Sequence, residues 1–155
     1  MSEISKTYDP TLIEDRIYAE WLKKGYFRGK VNKDKKPYTI VIPPPNVTGM
    51  LTIGHVLNNT LQDVFIRWHK LKGFETCWVP GTDHASIATE SKVTAMLKEQ
   101  GIDKKELGRD AFLDKAKEWK EKYGGMIIQQ LKKLGCACDW ERERFTMDDD
   151  YYKAV

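Results

Sequence analysis

Two short stretches carry the residues that are hardest to explain as packing. The first is Pro43-Pro-Pro-Asn-Val-Thr-Gly-Met-Leu-Thr-Ile-Gly-His55. Prolines end an apolar run, glycines punctuate the turn, and a histidine falls on the first turn of the helix that follows. Proline holds an extended path without a ladder donor, and its carbonyls stay free for a ligand. Gly49 and Gly54 admit close backbone approach. The helix start behind them offers unpaired N–H groups and partial positive charge, which suits a phosphate. His55 adds an imidazole that can donate to phosphate or ribose oxygens. The second stretch is Pro80-Gly-Thr-Asp-His-Ala-Ser-Ile-Ala-Thr-Glu90. A carboxylate at Asp83 can hold an ammonium group, or it can simply cap the next helix. For the first stretch, a nucleotide site and a proline turn with a solvated histidine both stay open. It is neither a Walker loop, since no Gly-Lys-Ser/Thr follows, nor a Gly-x-Gly-x-x-Gly turn.

Both stretches need a scaffold, and the pattern predicts an α/β one. Tyr38 to Ile42 reads as a buried strand bounded by prolines, and Glu75 to Val79 as a second. Between them a helix spans Ile53 to Lys72, with Leu57, Leu61, Val64, Trp68 and Leu71 on one apolar stripe and Gly73 as its stop. A further helix runs from about Ile87 to Gln100. A long one is capped by Asp110 and ends at Gly135, with Gly124-Gly125 as a bend. Strand alternating with helix argues for parallel pairing through crossovers, and ligands of such sheets sit beyond the strands' carboxyl ends. Both stretches fall there. Upstream, Asp9-Pro10 opens a helix carrying Ile13, Ile17 and Trp21, and Arg28 to Lys36 is a basic loop. Residues 1–36 therefore read as a helical appendage with a basic loop, and 37–155 as one half of a nucleotide-binding domain. Two strands are few for a doubly wound sheet, and Met147 to Val155 reads as the opening of a helix that is cut. A piece of a larger protein is the expectation.

Composition narrows the class. Of 155 residues, 41% are hydrophobic and 32% charged, which fits a globular chain with a core. The net charge of +3 neither demands nor opposes nucleic acid. No run reaches membrane-spanning length, and Met1-Ser2-Glu3-Ile4 does not begin a signal peptide. An odd set of thiols, Cys77, Cys136 and Cys138, points to a reducing cytoplasm. Cys136 and Cys138 offer two ligands without a second pair, which favours buried thiols over zinc.

Taken together, PPPNVTG with the Thr52-Ile-Gly-His55 element, then GTDHASIAT, then Asp139-Trp-Glu-Arg-Glu-Arg-Phe-Thr-Met-Asp148, resemble the class I aminoacyl-tRNA synthetases, and within them the valyl group. The resemblance runs from about Tyr8 to the end of the chain. It implies the first half of a Rossmann-like catalytic domain that joins valine to ATP, releases pyrophosphate, and passes the valyl group to tRNA(Val). ATP enters with Mg2+ as a substrate complex, and no tightly bound cofactor is implied. Residue by residue, it places His55 and Gly54 on ATP and Asp83 on the amino acid's α-ammonium group. Pro45 and Asn46 line the shared amino-acid and adenylate pocket, and Gly49 and Thr52 belong to the ATP side. The complete enzyme is expected to be a cytoplasmic monomer with no membrane contact.

The chain departs from the family pattern at three positions. Thr52 stands where the signature usually has its first histidine, which weakens one phosphate contact. Glu90 replaces a usual glutamine and Ser86 a usual glycine. The family's lysine-rich second signature, its editing domain and its anticodon-binding domain are not in this sequence. By itself this piece is expected to be inactive or weak. Two other classes compete: a small His-x-Gly-His nucleotidyltransferase, and a non-catalytic RNA- or partner-binding module. GTDHASIAT and DWERERFTMD would be idle in the first, and the mild charge weakens the second. Trp119, Trp140 and Tyr123 read as core or partner-face residues, His69 as structural, and Glu141 to Arg144 as local ion pairs around a turn.

Overall fold

Proline opens the first strand, at a strand position where it needs no ladder donor, and the prolines from Pro43 end it. In the computed structural model, which describes residues 6–154, β1 (Pro37–Val41) pairs in parallel with β2 (Glu75–Val79). The register runs from Pro37 opposite Glu75 to Val41 opposite Val79. Parallel neighbours need a crossover, and α2 (Ile53–Leu71) supplies it. Gly73 ends the return at φ +87°, a left-handed conformation that suits glycine. The chain is therefore a parallel α/β unit, as the alternation of strand and helix predicts. Met1 to Ile4 lie outside the described residues.

A second, very short parallel pair joins distant chain segments: β3 (Gly81–Thr82) with β4 (Arg144–Phe145). Around these strands lie α1 (Glu14–Lys23), α3 (Ser86–Glu99), α4 (Lys104–Leu107), α5 (Arg109–Lys133) and α6 (Asp149–Ala154). The core collects Ile42, Ile66, Trp78, Ile127, Leu131 and Cys138 from strands, α2, α5 and the segment after it. Each fully buried large side chain stabilises by roughly 1.5–3 kcal/mol.

Four local expectations are corrected. Asp9 accepts from the Thr11 N–H at 2.9 Å and starts a 3-10 turn at Pro10–Leu12, so α1 begins only at Glu14. Asp110 is not a cap: α5 starts after Gly108, and Asp110 lies in its first turn, where its negative charge interacts favourably with the positive end of the helix dipole. The apolar stripe of α2 lies on one helix face, but that face is open: Leu57, Leu61, Val64, Trp68 and Leu71 are all exposed. The inner face carries Ile66 with polar residues instead. Gln62 accepts from the Trp78 indole at 3.1 Å, and Asp63 accepts from the Ala137 N–H at 2.7 Å. Asp63 also grips Arg67, which donates to the Gly135 carbonyl at 2.7 Å. The inner contact is thus a polar seam, satisfied at Gln62, Asp63 and Arg67, while the buried Asn59 Oδ1 finds no partner among the described residues. The Pro45 carbonyl, expected free, accepts from the Asp83 N–H.

Cys136 and Cys138 are buried free thiols. Burial pushes Cys136 up to about 12 and Cys138 further up. His69 stacks on Tyr38 at 3.5 Å, a packing role. Arg142 pairs with buried Asp139 at 3.0 Å, and Glu141 reaches Arg28 far along the chain. Asp139 also accepts from the Gly29 N–H at 2.9 Å, which ties the stretch before β1 to the body.

Candidate substrate site at the strand ends

At the carboxyl end of β1 the chain continues with Ile42 still bonded to Val79 at 3.0 Å, then turns through the prolines. At the end of β2, Pro80 leads into β3 and the second stretch. The two turns then meet. Asp83 donates its N–H to the Pro45 carbonyl at 2.8 Å, and Val47 donates to the Asp83 carbonyl at 2.9 Å. Asn46 thereby stands opposite Asp83 in an isolated parallel bridge. This corrects one expectation. The Pro45 carbonyl is not waiting for a ligand; it holds the neighbouring turn, and only its second lone pair remains.

Thr52 is the N-cap of α2, with extended backbone at φ −92°. The Thr52 N–H points at Nδ1 of His55, 3.0 Å away, and the Thr52 hydroxyl lies 2.8 Å from the same nitrogen. A backbone N–H can only donate, so Nδ1 accepts and the proton of the neutral ring sits on Nε2. His55 is half-buried at this helix start. Among the described residues its Nε2 takes no partner, and in this arrangement it is a donor. The residue that departs from the family signature thus orients the residue that keeps it. Gly54 is exposed, and a Cβ there would meet only the Thr52 hydroxyl, at 3.7 Å. At Gly49 a Cβ would meet nothing within 4 Å. The fold itself makes no steric demand for glycine at either position.

The proline turn is braced from α5. Trp119 donates its indole N–H to the Val47 carbonyl at 2.7 Å, and Gln130 accepts from the Leu51 N–H at 2.9 Å. Val47 is buried, with its side chain near Gly124. Trp119 leans on Tyr123 at 4.1 Å between ring centroids. Trp119, read as core or partner-face, is half-buried and outside the core cluster, and its hydrogen bond into the turn has no sequence signal. Gln130 had none either.

Asp83 is half-buried. Its Oδ1 accepts from the Ala85 N–H at 3.1 Å and from the Thr146 hydroxyl at 3.0 Å. Ala85, which takes the left-handed conformation at φ 44°, precedes α3. A non-glycine residue held there costs on the order of 1 kcal/mol, and such strain gathers at functional sites. Asp83 thus ties the start of α3 to Thr146 as well. Ser86 and Glu90 lie on exposed positions of α3, and Glu90 pairs with Lys104. A small cavity beside the second turn, of about 130 Å³, is lined by Pro44, Val79, Thr82, Phe145 and Thr146.

The parallel strands meet two paired turns at their carboxyl edge, with a histidine at a helix start, and comparison with known proteins gives this arrangement a family. Residues 16–155 match the model of the tRNA synthetases class I (I, L, M and V), so the chain belongs to that family. Within it, the chain is 59% identical over 152 residues to the valine–tRNA ligase of Christiangramia forsetii and 57% identical to that of Clostridium tetani. Each alignment covers 98% of this chain but 17% of the relative, so the chain spans about a sixth of their length. The fold also matches a solved LeuRS from Agrobacterium radiobacter K84, in a ternary complex with tRNA and LeuAMS. The TM-score is 0.76 over 94% of this chain and 17% of that one, at 19% identity. Among the described residues no helix is long and apolar enough to cross a membrane.

Proposed function

We propose that the two joined turns form the adenylation site of a valine–tRNA ligase, with ATP at the start of α2 and the α-ammonium group of valine at Asp83. Residues 37–155 supply the first half of the catalytic domain, and residues 1–36 an appendage to it. The observation that carries this reading is the double hydrogen bond between Pro45, Asp83 and Val47, which joins the turn bearing the Asp83 carboxylate to the turn that leads into α2. A cation-holding group and an anion-holding group side by side suit an amino acid meeting a nucleoside triphosphate. The names of the relatives support the same substrates.

In this reading the N-terminus of α2 and the Nε2–H of His55 face the phosphates. Fixed donors of this kind stabilise charge that grows at the transition state and need no reorganisation. Gly54 and Gly49 leave their space to the nucleotide. Pro45 and Asn46 edge the pocket shared by amino acid and adenylate, and Thr52 holds the His55 ring. Mg2+ comes in on ATP as part of the substrate. Carboxylate attack of valine on the α-phosphorus gives valyl-adenylate and releases pyrophosphate, and the complete enzyme, a cytoplasmic monomer, transfers the valyl group to tRNA(Val). The 155-residue piece alone is weak or inactive.

Valine-dependent ATP–pyrophosphate exchange by the full-length enzyme tests this, with isoleucine and threonine as controls. His55→Ala should lower kcat by about 100- to 1,000-fold, the range for loss of one preorganised transition-state donor. Asp83→Ala should act chiefly on the KM for valine. Wild-type rates in both variants would remove the assignment.

A further inference from the structure

We infer that Thr146 is a positioning residue for the amino-acid site: its hydroxyl orients the Asp83 carboxylate and locks the ring of His84. The inference rests on the reading of Asp83 as the ammonium-binding group. Thr146 lies 63 residues beyond Asp83 in the chain, yet its Oγ1 is 3.0 Å from Asp83 Oδ1. The same oxygen is 3.0 Å from the His84 N–H and 2.7 Å from His84 Nδ1.

Proton accounting fixes the roles. A hydroxyl has one proton and two lone pairs. An ionised Asp83 can only accept, and the His84 backbone N–H can only donate. The Thr146 proton therefore goes to Asp83, and one lone pair takes the His84 N–H. The remaining lone pair takes a proton from Nδ1, so neutral His84 carries its proton there and presents Nε2 as an acceptor. Asp83 Oδ1 is then committed to Thr146 and to the Ala85 N–H at 3.1 Å. His84 Nδ1 stands 3.3 Å from the same oxygen. Among the described residues Oδ2 takes no hydrogen bond, which leaves it for an ammonium group. One oxygen anchored and one presented is a directed ligand rather than a swinging carboxylate.

Backbone geometry holds Thr146 in place. Its N–H donates to the Thr82 carbonyl at 3.1 Å, continuing the β3–β4 pairing, and Arg144 donates to Pro80 at 3.2 Å. The Phe145 N–H is held by Asp148 at 2.9 Å, and the Phe145 ring meets His84 edge to face. The threonine thus arrives on an element registered against the second turn itself.

The test is ATP–pyrophosphate exchange in the full-length enzyme with Thr146→Val, Thr146→Ser and Asp83→Asn. Thr146→Val keeps the shape and removes the hydroxyl. It should raise the KM for valine about tenfold, the scale of one charge-assisted hydrogen bond, and leave the KM for ATP unchanged. Thr146→Ser should restore the parent value. Inhibition by 2-hydroxy-3-methylbutanoate, which lacks the ammonium group, should not respond to Thr146→Val. If Asp83→Asn loses valine affinity while Thr146→Val matches the parent, the role of Thr146 is overturned and the ammonium site stands. Equal losses in the valine and serine variants, on both KM values, would make Thr146 merely structural and overturn it too. An Asp83→Asn enzyme with normal valine KM would instead overturn the ammonium site itself.

Discussion

The two turns at the strand ends solve the same problem by opposite means. In the first, the working side chain is set by a neighbour three residues away: Thr52 holds His55. Its distant braces, Trp119 and Gln130, grip backbone only. In the second, the working side chain is set from afar, with Thr146 on Asp83 across 63 residues. A helix start comes ready-made with donors and needs only a cap and a rigid approach. A single carboxylate has no such frame, so a second piece of chain must supply one. The carboxylate of the second turn is therefore the side chain whose orientation depends on a distant segment.

This contrast can be broken at one atom. A Cβ on Gly81 would lie 2.6 Å from the Arg144 carbonyl oxygen, a backbone atom that cannot step aside cheaply. Gly81→Ala should part β3 from β4 and carry Thr146 away from Asp83. We expect a loss of about 3 kcal/mol in unfolding free energy, the upper range for overpacking, and a KM for valine raised more than that for ATP. Urea unfolding and exchange kinetics check the two halves of that statement. An equal rise in both KM values would show that the second turn is not the separately braced one.

A smaller change sharpens the contrast from the other side. Trp119→Phe keeps a ring against Tyr123 and removes only the donor to Val47. It should cost about 1 kcal/mol, the net worth of one hydrogen bond, read as a lower urea midpoint. The KM for valine should move little, because Asp83 keeps its own anchor. A valine KM that rises as far as in Thr146→Val would mean that the two turns share a single brace.

What was legible in the sequence follows the same division. The strands, α2 and the place of His55 on its first turn could be read because their signals are local: prolines, glycine stops and apolar runs; the Thr52 cap on His55 was not read. β3 and β4 could not, because two-residue strands have no alternation to read. Thr146 sits inside the Phe-Thr-Met-Asp stretch that carried the family resemblance, but nothing local assigns its hydroxyl a partner. The stripe on α2 shows a different limit. Periodicity marks Leu57, Leu61, Val64, Trp68 and Leu71 as one face, but it does not say which way the face points. The polar side, Gln62 and Asp63, went inward because the Trp78 indole and the Ala137 N–H needed partners there. The free carbonyl expected at Pro45 failed for a similar reason. A carbonyl at the end of one strand was within reach of an N–H at the end of the next.

The most direct test is a crystal structure of the full-length enzyme with a non-hydrolysable valyl-adenylate analogue. The account predicts the valyl ammonium nitrogen about 3 Å from Asp83 Oδ2, with Thr146 still on Oδ1 and the phosphate-mimicking group at the first turn of α2 beside His55. An ammonium group held by other residues, with Asp83 turned away to cap α3, would contradict it.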